Sequence, residues 1–374
     1  MRQRTATWRA VVICAATTVA SAGCTSGAQP RAAAEVSGAA AASETEPTLR
    51  IIEANGIKMR IAEMGKGPLV LFLHGFPESW YSWRHQLPAL AKAGYRAVAP
   101  DLRGYGKSDR PPAVEDYDIR HLAADAVGVL DALGEKTAVL VGHDWGSIIA
   151  WNTIMMYPDR FTALVPMSVP YSGRPPVSPL ETMKKAMGDN FFYIVYFQEP
   201  GAAEAEFDKE PREFLSRIYP AVAADLTPDS PRDPPEITDP KRSAGGWIRR
   251  LPKARQLPAW LTQKDLDYYV AEFTHAGFRG GINFYRNWHR NWEITPELTA
   301  KTIPQPVHFI AGAQDAVIRG ANEEQLRASM GGTATDLRGI TLIQGAGHWV
   351  QQEKATETNA AILSFLASLT KSKT

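Results

Sequence analysis

The sequence predicts an α/β protein, a mostly parallel central sheet flanked by helices and interrupted by an inserted helical lid. Three observations lead there. From residue 48 on, short apolar runs alternate with amphipathic stretches, as strands joined by crossover helices do. The alternation breaks off over 171–300, where Pro and aromatic residues crowd the chain. It then resumes at Val307. A chain of 374 residues has room for one large catalytic domain plus such an insertion.

The elements follow in order. Residues 69–73 are apolar throughout, as a strand buried on both faces is. A second strand is expected over 95–100. Residues 117–133 read as a helix with Leu122, Ala126, Val129 and Leu133 on one face. A buried strand over 138–141, a helix over 146–157 and a strand over 161–167 complete the first part of the core, 48–170. The lid, 171–300, contains a Pro- and Asp-rich loop at 226–240. The wider stretch 225–242 is expected to border the mouth of the pocket. Strands over 307–311 and 340–343 and a helix over 354–369 form the second part of the core, 301–374.

The N-terminus reads as an address. Residues 1–23 carry Arg2, Arg4 and Arg9, then an apolar run, then Ser21-Ala22-Gly23, the pattern of an export signal. The run falls short of the about 20 apolar residues a membrane-spanning helix needs. Two endings fit. Cys24 after small residues resembles a bacterial lipobox, with Ser21 where Leu is usual, which implies a lipid tether to the membrane. Plain secretion after an Ala-x-Ala-like site is the other. Residues 24–47 are rich in Ala, Ser, Gly and Glu and read as a flexible linker. The expected location is outside the cytoplasm: secreted, periplasmic or lipid-anchored at the cell surface. Cys14 and Cys24 are the two cysteines, so the body carries neither a disulfide nor a Cys-based metal site. A Cys-free body suits an oxidising exterior. The net charge is +1, and the three N-terminal arginines exceed that by themselves. No basic field is left that would argue for nucleic acid.

The chemistry is concentrated in short motifs. Gly142-His143-Asp144-Trp145-Gly146 lies between an expected strand and an expected helix. Small residues on either side of a central one allow the sharp turn that pushes its side chain out at the sheet edge. The central residue is Asp144. A carboxylate is ionised at neutral pH and attacks carbon without a base, forming an ester that water must then hydrolyse. That second step needs a base. His348, in Gly345-Ala346-Gly347-His348-Trp349, follows the last expected strand, and Asp315 follows the strand before it. The order nucleophile, acid, histidine is that of the α/β-hydrolase fold, in which Asp315 orients His348. In this fold the loop His74-Gly75-Phe76-Pro77 supplies one oxyanion donor, the Phe76 N–H, and the Trp145 N–H supplies the other. His74 itself is expected to brace that loop. Segment 101–109 reads as a structural turn. The remaining histidines show no metal-ligand spacing, and neither a cofactor nor a metal is called for.

Residues 48–370 resemble the epoxide hydrolase branch of the α/β-hydrolases, near the hydrolase domain of soluble epoxide hydrolase. The resemblance lies in HGFPESWYSWRHQ (74–86), DLRGYGKSD (101–109), GHDWG (142–146), YFQEPG (196–201), INFYRNW (282–288) and GHW (347–349). It implies a small, apolar epoxide as partner and a vicinal diol as product. It also implies two lid tyrosines that donate to the epoxide oxygen, Tyr285 and Tyr193, with Tyr196 as the fallback for the second. An opening epoxide releases an alkoxide, and a phenol of pKa about 10 can protonate it at neutral pH. A haloalkane dehalogenase is the alternative, since it shares the aspartate and Trp145. Such enzymes place a second halide donor near the oxyanion loop, where this chain has Phe76. A surface-anchored binding protein on an inactive scaffold is the third reading. The oligomeric state is not encoded in any of these motifs.

Overall fold

A computed structural model of the chain describes residues 46–224 and 232–371. The signal reading of 1–23, Cys24 and nearly all of the linker lie outside the described residues, as does 225–231 of the lid.

The sheet has eight strands: β1 (Thr48–Ala54), β2 (Ile57–Met64), β3 (Leu69–Leu73), β4 (Arg96–Pro100), β5 (Ala138–His143), β6 (Phe161–Met167), and two more after the lid. Helices α1 (Gln86–Lys92), α2 (Ile119–Leu133) and α3 (Trp145–Met156) connect them. The lid follows, with helices α4 (Pro179–Met187), α5 (Tyr193–Tyr196), α6 (Ala202–Phe207), α7 (Pro211–Val222), α8 (Gln263–Ala276), α9 (Arg279–Arg286) and α10 (Trp288–Ile294). Within it the short strands β7 (Arg232–Asp233) and β8 (Lys253–Ala254) pair antiparallel. The core resumes with β9 (Val307–Gly312), α11 (Glu323–Met330), β10 (Leu337–Ile343), α12 (Val350–Glu353) and α13 (Ala355–Lys371).

The strand order is β1-β2-β4-β3-β5-β6-β9-β10. β2 runs antiparallel to both neighbours, and the pairs from β4 to β10 are parallel. Alternation along the central strands fills two layers. Leu69, Leu71, Leu140, Leu164 and Phe309 face one side with α2, α3 and the lid. Val70, Phe72, Val141, Val165 and Ile310 face the other with α1 and α13. Each fully buried Leu or Phe contributes roughly 1.5–3 kcal/mol.

The β1–β2 hairpin was not assigned from the sequence. Asn55 and Gly56 connect the strands, with φ of 50° and 76°. Two successive positive φ values suit a two-residue hairpin turn, and Asn-Gly is its favoured pair. Other boundaries move by one to three residues. α2 starts at Ile119 because the Asp118 carboxylate caps it, accepting from the Arg120 and His121 amides.

The lid is joined to the core along α8. Trp80 Nε1 donates to the Tyr268 hydroxyl and the Tyr81 hydroxyl to Asp265, each at 2.8 Å. Arg60 on β2 pairs with Glu272. The expectation that 225–242 borders the pocket is corrected for its described part. Residues 232–242 do not line the pocket, and Glu236 pairs with Arg217 of α7 and with Arg249. Segment 101–109 is structural: the buried Asp101 accepts from the Trp80 and Lys107 amides.

Candidate active site

Asp144 is the single residue between β5 and α3, at φ 53°, ψ −118°. A non-glycine residue in so sparse a region costs of order 1–3 kcal/mol. The surroundings leave it no alternative. A Cβ on Gly142 would overlap the Gly146 carbonyl, and one on Gly146 would overlap that of Leu73. A Cβ on Gly75 would overlap the Asp144 carboxyl group. Three glycines thus let strand, helix and oxyanion loop close around one carboxylate. The Phe76 N–H donates to Asp144 Oδ1 at 2.9 Å. The Trp145 N–H opens α3, where helical amides lack an internal partner. His74 braces the loop, Nδ1 donating to the Gly75 carbonyl and Nε2 accepting the Leu102 N–H. Burial pushes its imidazole down to about 4, so it stays neutral.

Asp315 follows β9 and His348 follows β10, so both reach the sheet edge that carries Asp144. His348 Nδ1 lies 3.2 Å from each Asp315 oxygen, and Nε2 lies 3.6 Å from Asp144 Oδ2. Burial alone would lower the His348 pKa, but Asp315 and Asp144 outweigh it and raise it well above the usual value. Burial would raise Asp315, yet the His348 charge and hydrogen bond hold it below the ordinary range.

Above this floor lies a cavity of about 420 Å³. Phe76, Ile148, Met183, Trp247 and Trp288 form apolar walls around Asp144, His348, Tyr193 and Tyr285. Tyr285, on α9, is buried edge-on against Trp145 and Phe76. Tyr193 opens α5, stacked on Trp247 with centroids 4.7 Å apart. The two phenol rings are 5.7 Å apart. Burial, then the Asp144 charge, raises both phenols, so both stay protonated at neutral pH. Tyr196 turns elsewhere, its hydroxyl donating to Glu206 at 2.9 Å. Among the described residues, no cluster of His, Cys, Asp and Glu could hold a metal ion.

Three supporting residues escaped the sequence analysis. The buried Glu78 carboxylate accepts from the Gly75 N–H, His143 Nδ1 and Gln351 Nε2, and His143 Nε2 donates to the His348 carbonyl. Burial works to raise Glu78, and the His143 charge and these hydrogen bonds hold it low. Glu353 accepts the amides of Gly347 and Trp349, on either side of His348, and that of Ala224 at the end of α7. The His348 N–H itself donates to the Val222 carbonyl. Ser168 donates to Asp315 Oδ2. Glu78 stands inside a motif already noticed, so a buried acid five residues past a strand was a usable signal. Ser168 and Glu353 had none, because their partners are distant in sequence or are backbone groups.

Comparison with known proteins agrees with this arrangement. Residues 68–355 match the alpha/beta hydrolase fold family. The chain is 45% identical to epoxide hydrolase A of Mycobacterium tuberculosis, over 86% of this chain and 98% of that one. It is 36% identical to bifunctional epoxide hydrolase 2 of Sus scrofa, over 83% of this chain and 53% of that longer protein. The crystal structure of epoxide hydrolase A from Mycobacterium thermoresistibile superposes with a TM-score of 0.77 at 46% identity, covering 86% of this chain and 98% of that one. With its fold, its elbow and a likeness that spans nearly all of the two mycobacterial enzymes, the chain belongs to the epoxide hydrolase family of the α/β-hydrolases.

Proposed function

We propose that the chain converts an apolar epoxide and water to a vicinal diol through an aspartyl ester. The observation that carries the residue roles is a carboxylate at a strained elbow facing two protonated phenols, one buried and one half-buried, across an apolar cavity. In the first step Asp144 Oδ2 attacks a ring carbon and the carbon–oxygen bond breaks. The departing alkoxide takes a proton from Tyr285 or Tyr193, and Phe76 N–H keeps Oδ1 as the ester carbonyl. In the second step His348 takes a proton from water, and hydroxide adds to the ester. The oxyanion that forms is held by the amides of Phe76 and Trp145. The intermediate then collapses, its hydroxyl proton passes to the departing oxygen to complete the diol, and the Asp144 carboxylate and the protonated His348 of the resting site are restored.

The same electrostatics time the base. Two carboxylates raise the resting His348. Esterification neutralises Asp144, so one of those charges disappears and the proton affinity of His348 falls. Its proton passes to the tyrosinate left by the first step, so the imidazole is a free base when an ester is there to hydrolyse. Asp315 keeps the imidazolium oriented afterwards.

Single turnover in heavy-oxygen water tests the scheme. Label is expected in the Asp144 carboxyl group first and in the diol of the following turnover. Label in the diol of the first turnover, with none in the protein, would mean direct attack by water. Export and a lipid on Cys24 belong to the same proposal, supported by Arg2, Arg4, Arg9 and the small residues before Cys24. Labelling of wild type and Cys24→Ala with radioactive palmitate tests it, and equal incorporation in both would remove the tether.

A further inference from the structure

We propose that Ser168 is a positioning residue for ester hydrolysis, its hydroxyl fixing the Asp315 carboxylate that aims His348. This rests on the two-step reading above. Ser168 is the first residue past β6 and fully buried. Its φ of 69° is one that non-glycine residues rarely adopt. The exit from the strand is held on both sides. The Ser168 N–H donates to the Ile310 carbonyl of β9, and the Val169 carbonyl accepts from Ser147 Oγ and Trp151 Nε1. The kink therefore delivers the hydroxyl to Asp315 Oδ2, 3.4 Å from His348 Nδ1 and 3.3 Å from the His348 carbonyl.

The geometry explains why such a contact matters. His348 Nδ1 is equidistant from the two Asp315 oxygens, so the imidazole does not by itself fix the carboxylate plane. Each oxygen has one further donor: the Val317 N–H holds Oδ1 at 2.9 Å and Ser168 holds Oδ2. Without the hydroxyl, Oδ2 keeps only the imidazole and the carboxyl group can turn about its Cβ–Cγ bond. The hydroxyl also disperses negative charge on Asp315, so its loss strengthens the pull on the His348 proton.

The other titratable or charged groups around the pair are Asp144, His143, Glu353, Tyr193 and Arg319 at the pocket lining. Substitution at 168 leaves all of them in place. The test is rapid mixing of excess enzyme with an aryl epoxide, following ester formation and decay separately over a range of pH. In Ser168→Ala, ester formation should stay within about twofold of wild type, while decay slows about tenfold at neutral pH, the effect of one hydrogen bond to a charged group. The pH at which decay reaches half its maximum should rise by about half a unit or more. Ser168→Gly, which takes the same φ without strain, should show the same shift; it reads the hydroxyl alone if the Ala variant folds poorly. An equal slowing of both steps, or an unmoved pH profile in the Gly variant, would overturn the proposal. Absence of any ester in the wild type would instead overturn the two-step mechanism.

Discussion

The floor of the cavity and its roof are built by different means. The floor consists of loops at strand ends, and hydrogen bonds hold it: Glu78 ties down the Gly75 loop, Ser168 the Asp315 carboxylate and Glu353 the His348 loop. The roof consists of helices, and aromatic faces hold it. Tyr285 touches Trp145, Phe76 and Phe197, and Tyr193 stacks on Trp247. Directional bonds fix a charge to fractions of an ångström, whereas ring contacts are broad in angle. Charge that attacks or abstracts belongs on the floor. A donor that follows a moving oxygen tolerates the softer mounting of the roof.

Substitutions can break this contrast, beginning with the largest effect. Asp144→Ala should lower turnover at least about 10⁴-fold with unchanged circular dichroism, since no other floor group attacks carbon. Retention of more than a hundredth of the activity would remove Asp144 from its role. On the roof, Tyr285→Phe should slow ester formation about 10²-fold, the lower end of general-acid effects, and Tyr193→Phe less, about tenfold, because Tyr285 is still there to donate. The ranking follows from Tyr285 being the more firmly enclosed. Rapid-mixing rates decide it, and equal losses would show the two mounts to be equivalent.

A subtler comparison uses pH. His348 is raised in the folded state, so its stabilising effect is complete below its unfolded value of about 6.5 and fades as pH climbs through the raised one. Thermal melts of wild type and His348→Gln should therefore converge as pH rises from about 6 to 10. A constant gap would mean that packing, not charge, holds the imidazole. Smallest is Tyr196→Phe. It loses the hydroxyl bond to Glu206, costing about 1 kcal/mol of stability, with ester formation within about twofold of wild type.

The same contrast explains what the sequence made legible. The elbow was readable because sterics tie Gly142 and Gly146 to the residue between them at fixed spacing. Asp315 and His348 were readable because strand ends of a parallel sheet share one edge. The roof was harder. Phe191 to Tyr196 is almost wholly aromatic or apolar, so no periodicity selects Tyr193 over Tyr196, and a one-turn helix sets the choice. β1 escaped for a related reason. Its burial changes from exposed to alternating along its length, and Asn55-Gly56 was the sole local sign of a hairpin. Contacts such as Glu353 to the Ala224 N–H join positions 129 residues apart and leave no local trace.

The fastening of the His348 loop to the end of α7 has a consequence for how the enzyme fails. The His348 N–H is held by the Val222 carbonyl, and Glu353 spans Ala224, Gly347 and Trp349. Fraying of α7 at that end would release His348 together with the roof. Partial unfolding and inactivation would then be one event, and activity on heating would vanish with the least stable segment of the lid, ahead of the sheet.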